Sequence, residues 1–127
     1  MKTLDADRIR EAIDAAERGT TGRIGVRVVP GRSADALEDA RKHFAHARLH
    51  EHEHRNAVVF FIAPNARRFA VFGDKAIHER VGETFWSQLV SDMTPYFRSG
   101  DMTAGLIFGI AAIGDQLREH FSSEVPV

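Results

Sequence analysis

The sequence predicts an α/β fold in which a small mixed β-sheet carries helices on both faces. Three observations predict it. Arg23 to Pro30 alternates Ile24, Val26 and Val28 with Gly25 and Arg27, the pattern of a half-buried strand closed at Pro30-Gly31. Ala57 to Ala63 is a continuous apolar run, as expected of a strand covered on both faces. Pro64 to Arg67 has room only for a turn, so Arg68 to Gly73 should return antiparallel to that run.

The remaining elements follow from apolar spacing and caps. Asp5 can cap a short N-terminal helix over residues 5–18, in which Ile9, Ala12, Ile13 and Ala16 form one stripe and Gly19 the stop. Ser33 can cap a second helix with Ala36, Leu37, Ala40, Phe44 and Ala47 on one face. It would make the crossover between the first two strands, which should be right-handed. Val81 to Phe97 repeats Phe85, Leu89 and Met93 four apart, and Pro95 should kink or terminate this helix. Ser99-Gly100-Asp101 reads as a stop followed by a cap, and Leu106, Ile110, Ile113, Leu117 and Phe121 mark the buried face of the last helix. Gly105 and Gly109, four apart, permit a close approach there.

Composition narrows the class. A chain of 127 residues, 43% hydrophobic and 28% charged, can bury a core as one domain spanning 1–127. The net charge of -1 argues against a nucleic-acid partner, which calls for a basic face. With no cysteine there is no disulfide, thiol nucleophile or Cys-based zinc site. Met1 to Arg10 has no apolar signal region, and the longest apolar run, Gly105 to Gly114, is too short for a bilayer. The expectation is a cytoplasmic protein without a membrane span.

Chemistry concentrates at the end of the third strand. Gly73, Asp74, His78 and Glu79 lie between that strand and the following helix, with Glu83 a helical turn beyond Glu79. Strand ends in α/β sheets are favoured ligand positions. A hard cation such as Ca²⁺ or Mg²⁺ wants several oxygens, which Asp74, Glu79, the Gly73 carbonyl and the Asn56 amide could supply. The plainer reading is that Asp74 shapes the turn and the glutamates form a solvated, dipole-favoured helix face. A second cluster, His43, His46, His50, His52 and His54, precedes the second strand. If the chain is extended there, His50, His52 and His54 share one side and could hold a transition metal through imidazole; Zn²⁺ ranks below the hard cations because nothing fixes a tetrahedral set. Arg67 and Arg68 at the hairpin, with Arg55 near them, could bind phosphate or carboxylate. The chain has no nucleophile elbow and no phosphate loop, so any phosphatase would need a metal-bound water.

Three segments together resemble the TPM domain family, which includes thylakoid acid-phosphatase-like proteins and many bacterial membrane-associated proteins. They are Thr21-Gly22-Arg23-Ile24-Gly25-Val26, Asn56 to Pro64, and Pro95-Tyr96-Phe97-Arg98-Ser99-Gly100-Asp101 running on to Leu106. The similarity covers residues 21–121. It implies a three-layer α/β/α sandwich with a cleft at the sheet edge, in some relatives holding calcium or another divalent ion, and phosphatase activity in plant members. Where the family reads Lys-x-Asp-Asn-Gly before the second strand, this chain has Glu53-His54-Arg55-Asn56-Ala57. Arg55 thus stands at an acidic ligand position. Where the family reads Gly-Tyr-Gly-Leu-Glu after the third strand, Gly73 to Glu79 departs from it, leaving Asp74 and Glu79 as substitute carboxylates.

The expected function is a non-catalytic binding module for a divalent cation, a protein partner, or both, with no catalytic residue assigned. The alternative is a metal-dependent, acid-phosphatase-like hydrolase. A third reading is a homo-oligomer built on the last helix.

Overall fold

The computed structural model describes residues 4–28, 42, 54–64 and 67–123. Among these, helix α1 (Ala6–Glu17) leads to strand β1 (Arg23–Val28), and β2 (Ala57–Ala63) and β3 (Arg68–Gly73) follow. Helices α2 (Lys75–Ser99) and α3 (Met102–His120) close the fold. The strands form one sheet in the order β1-β2-β3. β1 runs parallel to β2, with Arg23 opposite Ala57 and Val28 opposite Ile62. β3 runs antiparallel to β2, with Val58 opposite Gly73 and Ala63 opposite Arg68. The mixed sheet and the hairpin are therefore as the apolar patterns predict.

Every residue of β2 is buried, so its apolar run reflects cover on both faces. Val58, Phe60 and Ile62 share a core with Ile9 and Ala16 of α1, Leu89 and Met93 of α2, and Leu106, Ile110, Ile113 and Leu117 of α3. Ala57, Val59, Phe61 and Ala63 form a second cluster on the opposite face, with Ala70 and Phe72. Each large aliphatic side chain removed from water contributes about 1.5–3 kcal/mol, so the two clusters outweigh any single polar contact in the fold. The predicted second helix, its crossover, and His43, His46, His50 and His52 lie outside the described residues.

The ends of the elements are fastened to one another. Asp5 caps α1 by accepting from the Arg8 amide, while its own amide donates to Thr103 Oγ1 at the start of α3. The Thr21 amide donates to the Phe121 carbonyl and the Ser123 amide to the Gly19 carbonyl, joining the α1–β1 connection to the far end of α3. Gly105 and Gly109 serve packing: a Cβ on Gly109 would lie 2.7 Å from Met93 Sδ and 2.9 Å from the Phe60 ring.

Helix α2 departs from the sequence reading twice. It begins at Lys75, well before Val81, because Asp74 is its N-cap and Ile77 already packs into the core. The break in the helical path falls at Gly82, with φ 77° and ψ 168°, and not at Pro95. A φ this positive is open to glycine and strained for other residues. Pro95 is tolerated because only the Ser91 carbonyl loses its partner, and Ser91 is exposed to water. Gly100, left-handed at φ 87°, ends the helix.

Candidate functional site

The register brings Arg55, Asn56 and Asp74 to one edge of the sheet. β1 and β2 begin at this edge, and β3, running the other way, ends there. Asp74 follows the carboxyl end of β3, as the sequence places it, but that end is not the carboxyl edge of the parallel strands. It lies at their amino edge, since the final strand is antiparallel. The rule that places ligands beyond strand C-termini does not apply to it.

Backbone bonds hold the edge together. The Asp74 amide donates to the Ala57 carbonyl at 2.9 Å, and the Ala76 amide donates to the Arg55 carbonyl at 3.0 Å. The segment before β2 is thereby tied to the first turn of α2. Arg55 itself has φ 53°, a left-handed conformation that non-glycine residues seldom adopt.

Asp74 is 5% exposed, and a buried carboxylate requires donors. Arg55 supplies two in a side-on fork: Nε donates to Oδ2 at 2.7 Å and Nη2 to Oδ1 at 2.9 Å. The Lys75 amide donates to Oδ1 at 2.7 Å. The carboxylate also sits at the positive end of the helix dipole. The hydrogen bonds to Asp74, and then its negative charge, raise the pKa of Arg55 above the ordinary arginine value. The two residues lie 19 positions apart, and no local sequence signal joins them. Arg55 was expected beside Arg67 and Arg68, yet Arg67 Nη1 donates to the Arg98 carbonyl at 3.4 Å.

Asn56 sits next to Arg55 but turns elsewhere. It is fully buried, and its Nδ2 donates to Thr21 Oγ1 at 2.9 Å, just before β1. Its Oδ1 is buried without a hydrogen-bond partner among the described residues. Asn56 and Asp74 thus engage opposite flanks of β2, since β1 and β3 lie on either side of that strand.

Two clefts open at this edge. One, of about 560 Å³, is lined by Val71, Phe72, Trp86, Lys75, His78 and Glu83 and reaches Gly73 and Asp74. Trp86 Nε1 donates to His78 Nδ1 at 3.0 Å, so that imidazole nitrogen is an acceptor and already engaged. Gly73 was predicted to offer a carbonyl to a ligand. Its visible role is steric: a Cβ there would fall 2.5 Å from the Trp86 ring. Glu79 lies on the exposed surface of α2. The other cleft, of about 640 Å³, is lined by Asp14, Glu17, Arg18, Thr21, Arg23 and His54. Glu17 Oε2 accepts from the Ile24 amide at 2.7 Å, capping an N–H of the edge strand β1.

A family profile described as the TPM domain matches residues 1–116. The chain belongs to the TPM domain family. The match takes in α1, which lies before the segments that carry the resemblance. Solved TPM-fold structures agree in architecture. The BA42 protein from the psychrophilic bacterium Bizionia argentinensis is 26% identical with a TM-score of 0.83, over 98% of this chain and 88% of that one. The N-terminal domain of a P. gingivalis protein is 18% identical with a TM-score of 0.78, over 95% of this chain and 82% of that one. The N-terminal domain of the cg2496 protein from Corynebacterium glutamicum gives 13% and 0.70, over 100% and 77%. No curated protein matches the chain.

A divalent ion is the group that the TPM resemblance implies, and the described residues of this TPM domain do not fit it. Both Asp74 oxygens already accept hydrogen bonds, two of them from a cation. Among the described residues, no three His, Asp or Glu side chains gather into a metal-holding group. Asp74, Glu79, His78 and Asn56 are near one edge, but the fold gives each a separate environment. The set of His50, His52 and His54 falls largely outside the described residues; His54 is exposed at the rim of the larger cleft.

Proposed function

We propose that this TPM domain is a non-catalytic binding module that engages a protein partner at the cleft beside Asp74. The observation that carries the reading is the commitment of Asp74. Its carboxylate fastens Arg55 to the start of α2, which leaves the cleft shape and charge but no nucleophile. Val71, Phe72 and Trp86 supply an apolar wall, and Lys75, His78 and Glu83 a polar rim. An aromatic anchor ringed by polar groups is the composition that protein recognition favours.

A metal-dependent, acid-phosphatase-like hydrolase is the second reading. The Oδ1 of Asn56, without a partner among the described residues, favours it, because a buried acceptor oxygen suits a cation or a bound water.

One assay separates the two. Hydrolysis of a generic phosphate monoester is followed with Ca²⁺, Mg²⁺ or Zn²⁺ and again with chelator, for wild type and Asp74→Asn. The binding reading expects the background rate in every arm. Turnover that disappears with chelator and with Asp74→Asn would establish the hydrolase instead.

A further inference from the structure

We infer that Arg55 is a built-in counter-ion that takes the place of a divalent cation at this sheet edge, so that the edge assembles and is stable without metal. The inference does not rest on partner binding. It rests on how Asp74 and Arg55 are held.

Asp74 is buried and anionic, and such a group needs compensating charge close by. A divalent ion could provide that charge from solution. Here it comes from the chain, through a bidentate guanidinium at 2.7 and 2.9 Å. A further cation would meet a carboxylate whose two oxygens already accept three donors, with a fixed positive charge alongside.

The backbone of Arg55 shows that the placement is structural. Its carbonyl accepts from the Ala76 amide while its guanidinium grips Asp74, so the residue is fastened at both ends to the first turn of α2. It does so with φ at 53°, and a residue is kept in that region only where its surroundings over-determine it. The side chain stays 47% exposed, so the guanidinium reaches Asp74 while keeping part of its hydration. Asn56, the other oxygen an ion would want, is anchored to Thr21 on the β1 flank and so does not complete a shell around Asp74.

The test is thermal melting in chelator, then with Ca²⁺ or Mg²⁺, on wild type, Arg55→Asp, Arg55→Asn and the double variant Arg55→Asp with Asp74→Asn. Asp and Asn both tolerate positive φ, and Arg55→Asn serves if the aspartate variant fails to fold. Wild type should melt within about 1 °C in every condition. Arg55→Asp should melt lower in chelator and regain roughly 5 °C or more with saturating Ca²⁺, and the double variant should lose that gain. A wild-type midpoint that rises with either ion and stops rising in Asp74→Asn would overturn the inference. So would a folded Arg55→Asp that ignores both ions. A wild type that hydrolyses phosphate esters yet melts alike with and without ions would sink the binding reading and leave this one standing.

Discussion

Asp74 does two jobs with one carboxylate, and they can be pulled apart. As N-cap of α2 it accepts from the Lys75 amide; as counter-ion it holds Arg55. Asp74→Ala loses both and should cost at least the ~1 kcal/mol of a missing cap. Asp74→Asn keeps an acceptor for Lys75 and should cost less, an ordering that urea unfolding of the two variants would reverse if the cap were unimportant. The pair should also be insensitive to alkali over the accessible range. Arg55 has its pKa raised in the folded protein, so its contribution is fully present below the unfolded value and fades only as pH passes the raised one. The stability difference between wild type and Arg55→Ala should therefore stay constant from about pH 7 to 10. A difference that shrinks across that range would assign the effect to another group.

At the scale of elements, α2 is two helical segments joined at Gly82, and the joint decides the shape of the cleft. The first segment starts at the sheet edge; the second carries Trp86 back over Gly73, where there is room for no Cβ. Gly82→Ala must hold φ near 77° and should destabilise by about 1–2 kcal/mol. Gly73→Ala forces the indole aside and should cost about 1–3 kcal/mol. The single tryptophan reports on both, since its N–H bond to His78 orders the ring. Gly73→Ala should shift Trp86 emission to the red, whereas Gly82→Ala lowers the denaturation midpoint; unchanged emission in Gly73→Ala would mean the ring does not lie over the glycine.

For the molecule as a whole, self-association through the last helix would have to use Phe108, which is 39% exposed. Leu106 and Ile110 are fully buried, and the exposed large apolar side chains among the described residues are Val28, Val90, Tyr96 and Phe108. Tyr96 and Phe108 stack on each other at 5.9 Å, so their exposed faces adjoin. No described helix is long and apolar enough to cross a membrane.

The sequence by itself determined the elements whose signals are local. The run at 57–63, the short hairpin and the 3.6-residue stripe of the last helix each follow from burial acting on neighbouring residues, and each stands where the pattern put it. The sequence also named Arg55, Asn56 and Asp74 as residues of interest. Only the tertiary structure decided what they do. Whether the Asp74 end of β3 faces the amino or carboxyl edge depends on how β3 pairs with β1 and β2 together, a fact of the whole sheet. That Arg55 closes on Asp74 across 19 positions depends on a left-handed backbone no residue-type preference foretells. Burial can be read from spacing because it is a property of each side chain against bulk water. A counter-ion's identity cannot, because charge pairing is settled by which distant atoms the folded chain brings within about 3 Å.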